Sequence, residues 1–226
     1  MKTENAIQRS AKTAGIAYLA IIVTSIFSMI FGPYKLMVEG DIAATINNIS
    51  SHQALFRAGL TYDLLMFIAV IILSVALYNV LKTVNKTVAL TALLSRFGEA
   101  VLGSLSVVCS IVVLLLINRD YSSESIQKTS SLVFEIKDSL LNIVFAFLGF
   151  GSILFCFNFY ISGLIPRILA AFGIFSFVLV FAESIIVLLF PVKSLVITGI
   201  PAIFFEIIIG LWLIIKGVNI STIKNN

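Results

Sequence analysis

Histidine is almost missing from this sequence: His52 stands alone, and the two cysteines, Cys109 and Cys156, lie far apart in apolar runs without Cys-x-x-Cys spacing. A zinc-type centre needs several such ligands converging on one point, so no metal site is expected. A Ser-His-Asp set is excluded as well, because the single His52 falls at a loop boundary. The cysteines read as small packing residues of membrane helices. Charge is scarce too, at 12% of 226 residues, and the net charge of +4 is spread over both ends and several loops. With no basic cluster, nothing supports nucleic-acid binding. The glycines, among them Gly59, Gly98, Gly103, Gly149, Gly151, Gly173 and Gly210, are dispersed instead of gathered in one phosphate loop. That distribution fits close packing of helices. No cofactor is expected.

What is present is apolar: 60% of the residues are hydrophobic and the mean hydropathy is +1.12. These values belong to an integral membrane protein. A hydrocarbon core of about 30 Å takes about 20 helical residues per crossing. The apolar runs then predict an all-α bundle of six transmembrane helices in a single domain covering 1–226, with spans at about 14–31, 55–81, 88–117, 139–161, 167–190 and 195–216. The first run follows a polar segment carrying Lys2, Arg9 and Lys12, but Gly32-Pro33-Tyr34-Lys35 does not read as a small-x-small cleavage site. It is therefore expected to be an uncleaved span ending at Pro33.

Two connections carry amphipathic segments. In the first loop Ile42, Ile46 and Ile49 recur at helical spacing after Asp41, a candidate N-cap, and Ser50 with Gln53 forms a candidate capping box for the second span. In the third loop, residues 118–138, Ile126, Leu132 or Val133, Ile136 and Leu140 suggest an amphipathic lead-in to the fourth span. Gly163 is placed to end that span and Pro166 to sit in the first turn of the next. The fifth span is expected to stop at Pro191, and Gly199 and Pro201 to bend the sixth. Lys2, Arg9, Lys12, Lys82, Lys86, Arg167, Lys216 and Lys224 share one side of this topology. The other side holds Lys35, Arg57, Arg119, Lys128, Lys137 and Lys193, offset by Glu39, Asp41, Asp120, Glu124, Glu135 and Asp138. The bias predicts a protein of the cell membrane with both termini cytoplasmic.

The residues that stand out are the ions kept inside the spans: Asp63, Arg96, Glu99, Glu183 and Glu206. Each is costly in lipid, roughly 2.5–3.5 kcal/mol at a helix centre on insertion scales. Arg96 and Glu99, at i and i+3, are neighbours on a helix and are expected to face each other and to point into protein. One functional reading is an interior cavity lined by Asp63, Glu99, Glu183 and Glu206, binding a small or lipid-like ligand or passing a proton. A second is a non-catalytic scaffold or partner subunit in which all these acids are structurally paired. A third is an intramembrane enzyme acting on lipid, which needs two carboxyls converging on one bond. The lipid bilayer is the one partner the composition requires.

Four segments in order carry a resemblance that covers nearly the whole chain. They are Leu55-Phe56-Arg57-Ala58-Gly59-Leu60 with Asp63-Leu64-Leu65; Arg96-Phe97-Gly98-Glu99-Ala100; Tyr160-Ile161-Ser162-Gly163-Leu164-Ile165-Pro166-Arg167-Ile168-Leu169; and Pro201 through Glu206 to Gly210-Leu211-Trp212-Leu213 and Gly217. Together they resemble the bacterial multi-pass membrane family known as domain of unknown function 4386. The resemblance implies six spans and no assigned activity. It also implies that Arg57, Asp63, Arg96, Glu99, Pro166, Arg167, Glu206 and Trp212 are the positions to test.

Overall fold

Every long apolar run of the sequence forms a helix, and no strand occurs among the residues described by the structure, a computed structural model covering 2–119, 121–190, 192 and 196–220. The elements are α1 (Lys2–Phe31), α2 (Pro33–Leu36), α3 (Ile42–Ser51), α4 (Gln53–Leu81), α5 (Lys86–Ile117), α6 (Ser123–Ser162), α7 (Arg167–Leu189), a 3-10 turn at Val196–Gly199 and α8 (Ile200–Ile215). Of these, α1, α4, α5, α6, α7 and α8 are long and apolar enough to cross a bilayer. This is an all-α, multi-pass membrane protein. The expected helix limits at Pro191 and Leu195, and the charges Asp120, Lys193 and Lys224, lie outside the described residues.

The six long helices form a ring. α1 packs on α4, and α4, α5, α6 and α7 each pack on the next; α8 touches α7 and closes the ring on α1. Lipid offers no hydrophobic drive for such contacts, so close approach of small residues has to supply the attraction. At the closing seam a Cβ on Gly15 would stand 2.6 Å from the Gly210 carbonyl oxygen, so backbone meets backbone there. The thinnest contact between neighbours in the ring is that of α7 with α8.

The first turns of α1 and the residues after α8 meet at one end of the bundle. Gln8 of α1 donates from Nε2 to the Val218 carbonyl at 2.5 Å and accepts from the Val218 N–H at 3.1 Å. The Asn219 N–H donates to the Leu164 carbonyl in the α6–α7 turn at 2.9 Å. Gly163 makes that turn by ending α6 at φ 64°, a left-handed conformation that glycine adopts without a steric penalty. Asn158 reaches from α6 to the Asn85 carbonyl of the α4–α5 turn at 3.4 Å. At the opposite end Gln53 and Asn118 exchange side-chain amide bonds of 3.0 and 3.2 Å, joining the start of α4 to the end of α5.

The local structure departs from the spacing-based expectation in several places. Asp41 does cap α3, its Oδ1 accepting from the Ala44 N–H at 2.8 Å. The Ser50–Gln53 capping box does not form. Ser50 lies inside α3, His52 joins the two helices, and α4 begins without a side-chain cap. The His52 N–H instead bonds back to Asn48 and Ile49, so α3 runs on until α4 starts. Pro166 is the residue before α7, not part of its first turn, and Pro201 starts α8 after the 3-10 turn instead of bending a longer helix. The amphipathic lead-in of the third loop is no separate segment: α6 begins at Ser123 and is continuous for 40 residues. At 1.5 Å per residue that is about 60 Å, twice a hydrocarbon core of about 30 Å. The expected stripe is met only in part: Ile126, Val133 and Leu140 are half-buried and Leu132 and Ile136 exposed, while the buried residues are Ser130, Phe134 and Lys137. Those three continue the buried stripe of Val144, Gly151 and Phe155, so the span dictates the face of its own extension.

Candidate functional site

The ring is not filled by hydrocarbon alone. Arg96 and Glu99, on the inner face of α5, are 2% and 3% exposed, with Nη1 2.9 Å from Glu99 Oε2. The guanidinium also donates to Ser152 Oγ on α6 at 3.3 Å. Its aliphatic stem lies along α6 at Gly151, where a Cβ would stand 2.9 Å from Arg96 Cγ. Small residues at 151 and 152 are thus the slot that admits an arginine between two packed helices. Tyr18 from α1, Cys156 from α6 and Glu206 from α8 complete the cluster, within electrostatic range of the ion pair.

Glu206 differs from Glu99 in its surroundings. It is 9% exposed, yet among the described residues its carboxyl makes no hydrogen bond and has no base within 4.0 Å. It lines a cavity of about 270 Å³ between α6, α7 and α8. The walls are Phe145, Leu148, Phe177, Val180, Ala202 and Ile203, and the polar lining is Asn142, Glu183, Ser184, Thr198 and Glu206. Asn142 donates to the Ser184 carbonyl at 3.1 Å and Ser184 Oγ to the Val180 carbonyl at 2.9 Å, so both are engaged within the wall.

The lining combines buried and exposed apolar residues. Phe145 shares a face with Gly149, Ser152 and Cys156, at i+4, i+7 and i+11, and all three are buried, yet Phe145 is 46% exposed. Ile203 stands in the same relation to Glu206 and Gly210, and is 52% exposed. Phe145 and Ile203 are thus the exposed apolar residues of the lining.

A second polar group sits towards the α3 end of the bundle. Asp63 of α4 accepts a short hydrogen bond from Ser28 Oγ of α1. Lys137 of α6 is 6% exposed. Its Nζ donates to Ser110 Oγ of α5 at 2.8 Å and stands 6.0 Å from the centre of the Tyr34 ring. Asp63 and Asp138 are within electrostatic range of that ammonium. Of the four acids read as one lining, Glu183 and Glu206 thus share the cavity, Glu99 stands behind it with Arg96, and Asp63 belongs with Lys137.

The family model described as Domain of unknown function (DUF4386) matches residues 13–217. The chain belongs to this family. The matched region takes in both polar groups and the whole cavity. Comparison with curated proteins and with solved structures returned no match.

The remaining positions singled out in this DUF4386 chain lie elsewhere. Arg57 is exposed on α4 and joins neither polar group. Pro166 and Arg167 border a surface groove of about 550 Å³ that also contacts Trp212 and Lys216, at the end of the bundle where Gln8 meets Val218. Sequence reasoning missed Lys137, which it counted as a loop charge. The available signal was its place at i+7 from Ser130 and i+3 from Phe134, on one helical face. Replacing it by methionine keeps the stem and removes the charge, leaving Ser110 without its donor and Asp63 without a nearby cation. Lys137→Met is expected to lower stability by about 1–3 kcal/mol, and adding Asp63→Asn to recover part of the loss, read from thermal unfolding in detergent. Equal unfolding temperatures in all three proteins would refute a stabilising role for this charge.

Proposed function

We propose that this protein binds a small hydrophobic or amphiphilic molecule in the cavity between α6, α7 and α8, with Glu206 as the polar anchor. The observation that carries the reading is Glu206 itself: a carboxyl 9% exposed, without a partner among the described residues, lining a space of about 270 Å³ with aromatic and aliphatic walls. An unpaired buried acid costs stability, and a chain that keeps one where a methylene would pack better retains it for something else. Mostly apolar walls with few placed polar groups are the ordinary make-up of small-molecule sites. Complete structural pairing of the acids, as in a pure scaffold, leaves Glu206 unexplained.

Gly199 offers a clean test. It lines the cavity, has ordinary φ and ψ of −77° and −17°, and a Cβ there would meet nothing within 4 Å. It ends the 3-10 turn that leads into α8. Gly199→Phe should fill the space without straining the fold. Neopentylbenzene and benzyltrimethylammonium, two small aromatic probes of one shape, are the test ligands. At least one is expected to raise the unfolding temperature of the wild type saturably and to lose that effect in Gly199→Phe. Absence of binding by both probes, or equal binding to the filled variant, overturns the reading.

We further propose that the membrane is the cell membrane and that both termini are cytoplasmic. The end of the bundle shared by Gln8, Val218 and the α4–α5 and α6–α7 turns carries Lys82, Lys86, Arg167 and Lys216. With single cysteines introduced in intact cells, Ser123→Cys should react with an impermeant maleimide and Asn85→Cys should not. The reverse pattern inverts the topology.

A further inference from the structure

We infer that the cavity is selective for a small hydrophobic organic cation, an aromatic or alkyl ammonium, and that binding such a cation releases one proton from Glu206. This rests on the ligand-binding reading above and adds the chemical class of the ligand and its coupling to protons.

The inference follows from counting charge at the centre of the ring. The groups facing Glu206 are Arg96 and Glu99 from α5, Tyr18 from α1 and Cys156 from α6, with Glu183 of α7 on the shared cavity wall. Only Arg96 is a base, and its Nη1 is already committed to Glu99 at 2.9 Å and Ser152 at 3.3 Å. One guanidinium neutralises one carboxylate. Placing a second charge in a water-poor interior without a counterion is strongly unfavourable. The neutral states of the cluster are then two: a proton on Glu206, or a cation beside its carboxylate. Among the described residues no lysine or arginine lines the cavity, so none of them supplies that cation or repels one that enters.

The walls complete the specificity. Phe145 lines this space and is exposed, and an aromatic face attracts an ammonium that has shed its water. An anion would meet the Glu206 carboxyl, beside which no described wall residue places a cation. The exchange balances as Glu206–COOH plus R–N⁺ giving Glu206–COO⁻ beside R–N⁺ and one H⁺ to water. Two ligands of one charge compete for one site, so cation affinity rises as the proton is withdrawn.

The experiment uses the full chain in nonionic detergent with benzyltrimethylammonium, a permanent cation, and neopentylbenzene, its neutral carbon isostere. Calorimetric titrations in buffers of different ionisation enthalpy count the protons released. The expected result is close to one proton per cation bound, none for the isostere, and cation affinity rising up to tenfold per pH unit. Glu206→Gln should weaken cation binding at least tenfold more than isostere binding. Should that variant not fold, the wild-type proton count and pH slope decide alone. Binding of both probes with no proton release, or equal loss of both in Glu206→Gln, overturns the inference while leaving a ligand cavity in place. No binding of either probe overturns both.

Discussion

Arg96→Ala is expected to be among the most damaging single changes in this protein, lowering stability by about 3–5 kcal/mol, the range for removing one partner of a buried ion pair. The residue is 2% exposed, bridges α5 to Ser152 of α6, and holds Glu99 at 2.9 Å. Alanine leaves Glu99 3% exposed with no base in reach and opens a channel beside Gly151 where the stem had packed. The protein has one escape, because Glu99 can take up a proton and avoid part of the cost. Arg96→Gln with Glu99→Gln should therefore unfold at a higher temperature than Arg96→Ala alone. The charge swap, Arg96→Glu with Glu99→Arg, moves the guanidinium about 4.5 Å along the helix axis. It keeps the contact between the two but takes the arginine away from Ser152 and Glu206. If the swap folds as poorly as Arg96→Ala while the double glutamine variant folds, the arginine serves α6 and α8 as well as its own helix. A coupling energy near zero in the double-mutant cycle between Arg96 and Glu99 would refute the pair as a unit.

Gly59→Leu should come close to it. A Cβ at Gly59 would stand 2.0 Å from Gly32 Cα and 3.1 Å from the Phe31 carbonyl oxygen, and neither atom belongs to a side chain that can swing away. The two helices have to separate, and the interactions that zip them on either side go with the seam: the Ser28–Asp63 hydrogen bond and the Phe27–Tyr62 ring pair at 5.2 Å. Overpacking of this kind costs typically about 1–3 kcal/mol and occasionally more; Gly59→Ala is expected within that range and Gly59→Leu at or above its top. Ile68→Ala, on the exposed face of the same helix, is the control and should change little. Unfolding temperatures in detergent that are the same for Gly59→Leu and Ile68→Ala would show that α1 and α4 tolerate the separation.

Much of this architecture was legible before any coordinates. The six crossings follow from runs of apolar residues long enough to span hydrocarbon, since each polar backbone group in lipid has to be satisfied within its own helix. Asp41 as the cap of α3 and Gly163 as the end of α6 were legible because capping depends on residues a few positions apart. The contact of Arg96 with Glu99 was legible for the same reason, an i, i+3 spacing on one helix. The capping box at Ser50 failed as a reading because α3 and α4 run almost directly into each other across His52, and nothing in four residues reveals where the first helix stops.

Lys137 shows where local reading ends. Its stretch is polar, so it resembles a loop, and its burial depends on Ser110 and Tyr34, which belong to other helices. The same holds for Glu206, whose neighbours come from α1, α5 and α6 and whose cavity needs the faces of α6 and α7 as well. By itself the sequence determined how many helices are long and apolar enough to cross a bilayer, where most of them end, and that several ions had to be shielded from lipid, because transfer cost and hydrogen bonding along one helix are properties of neighbouring residues. Only the tertiary structure decided that α8 closes on α1, that Arg96 meets Glu99 and Ser152 while Glu206 is left facing a cavity, and that Asp63 lies with Lys137. Those outcomes depend on which side-chain ridges meet across helices, a relation between residues distant in the chain that no spacing along one helix encodes.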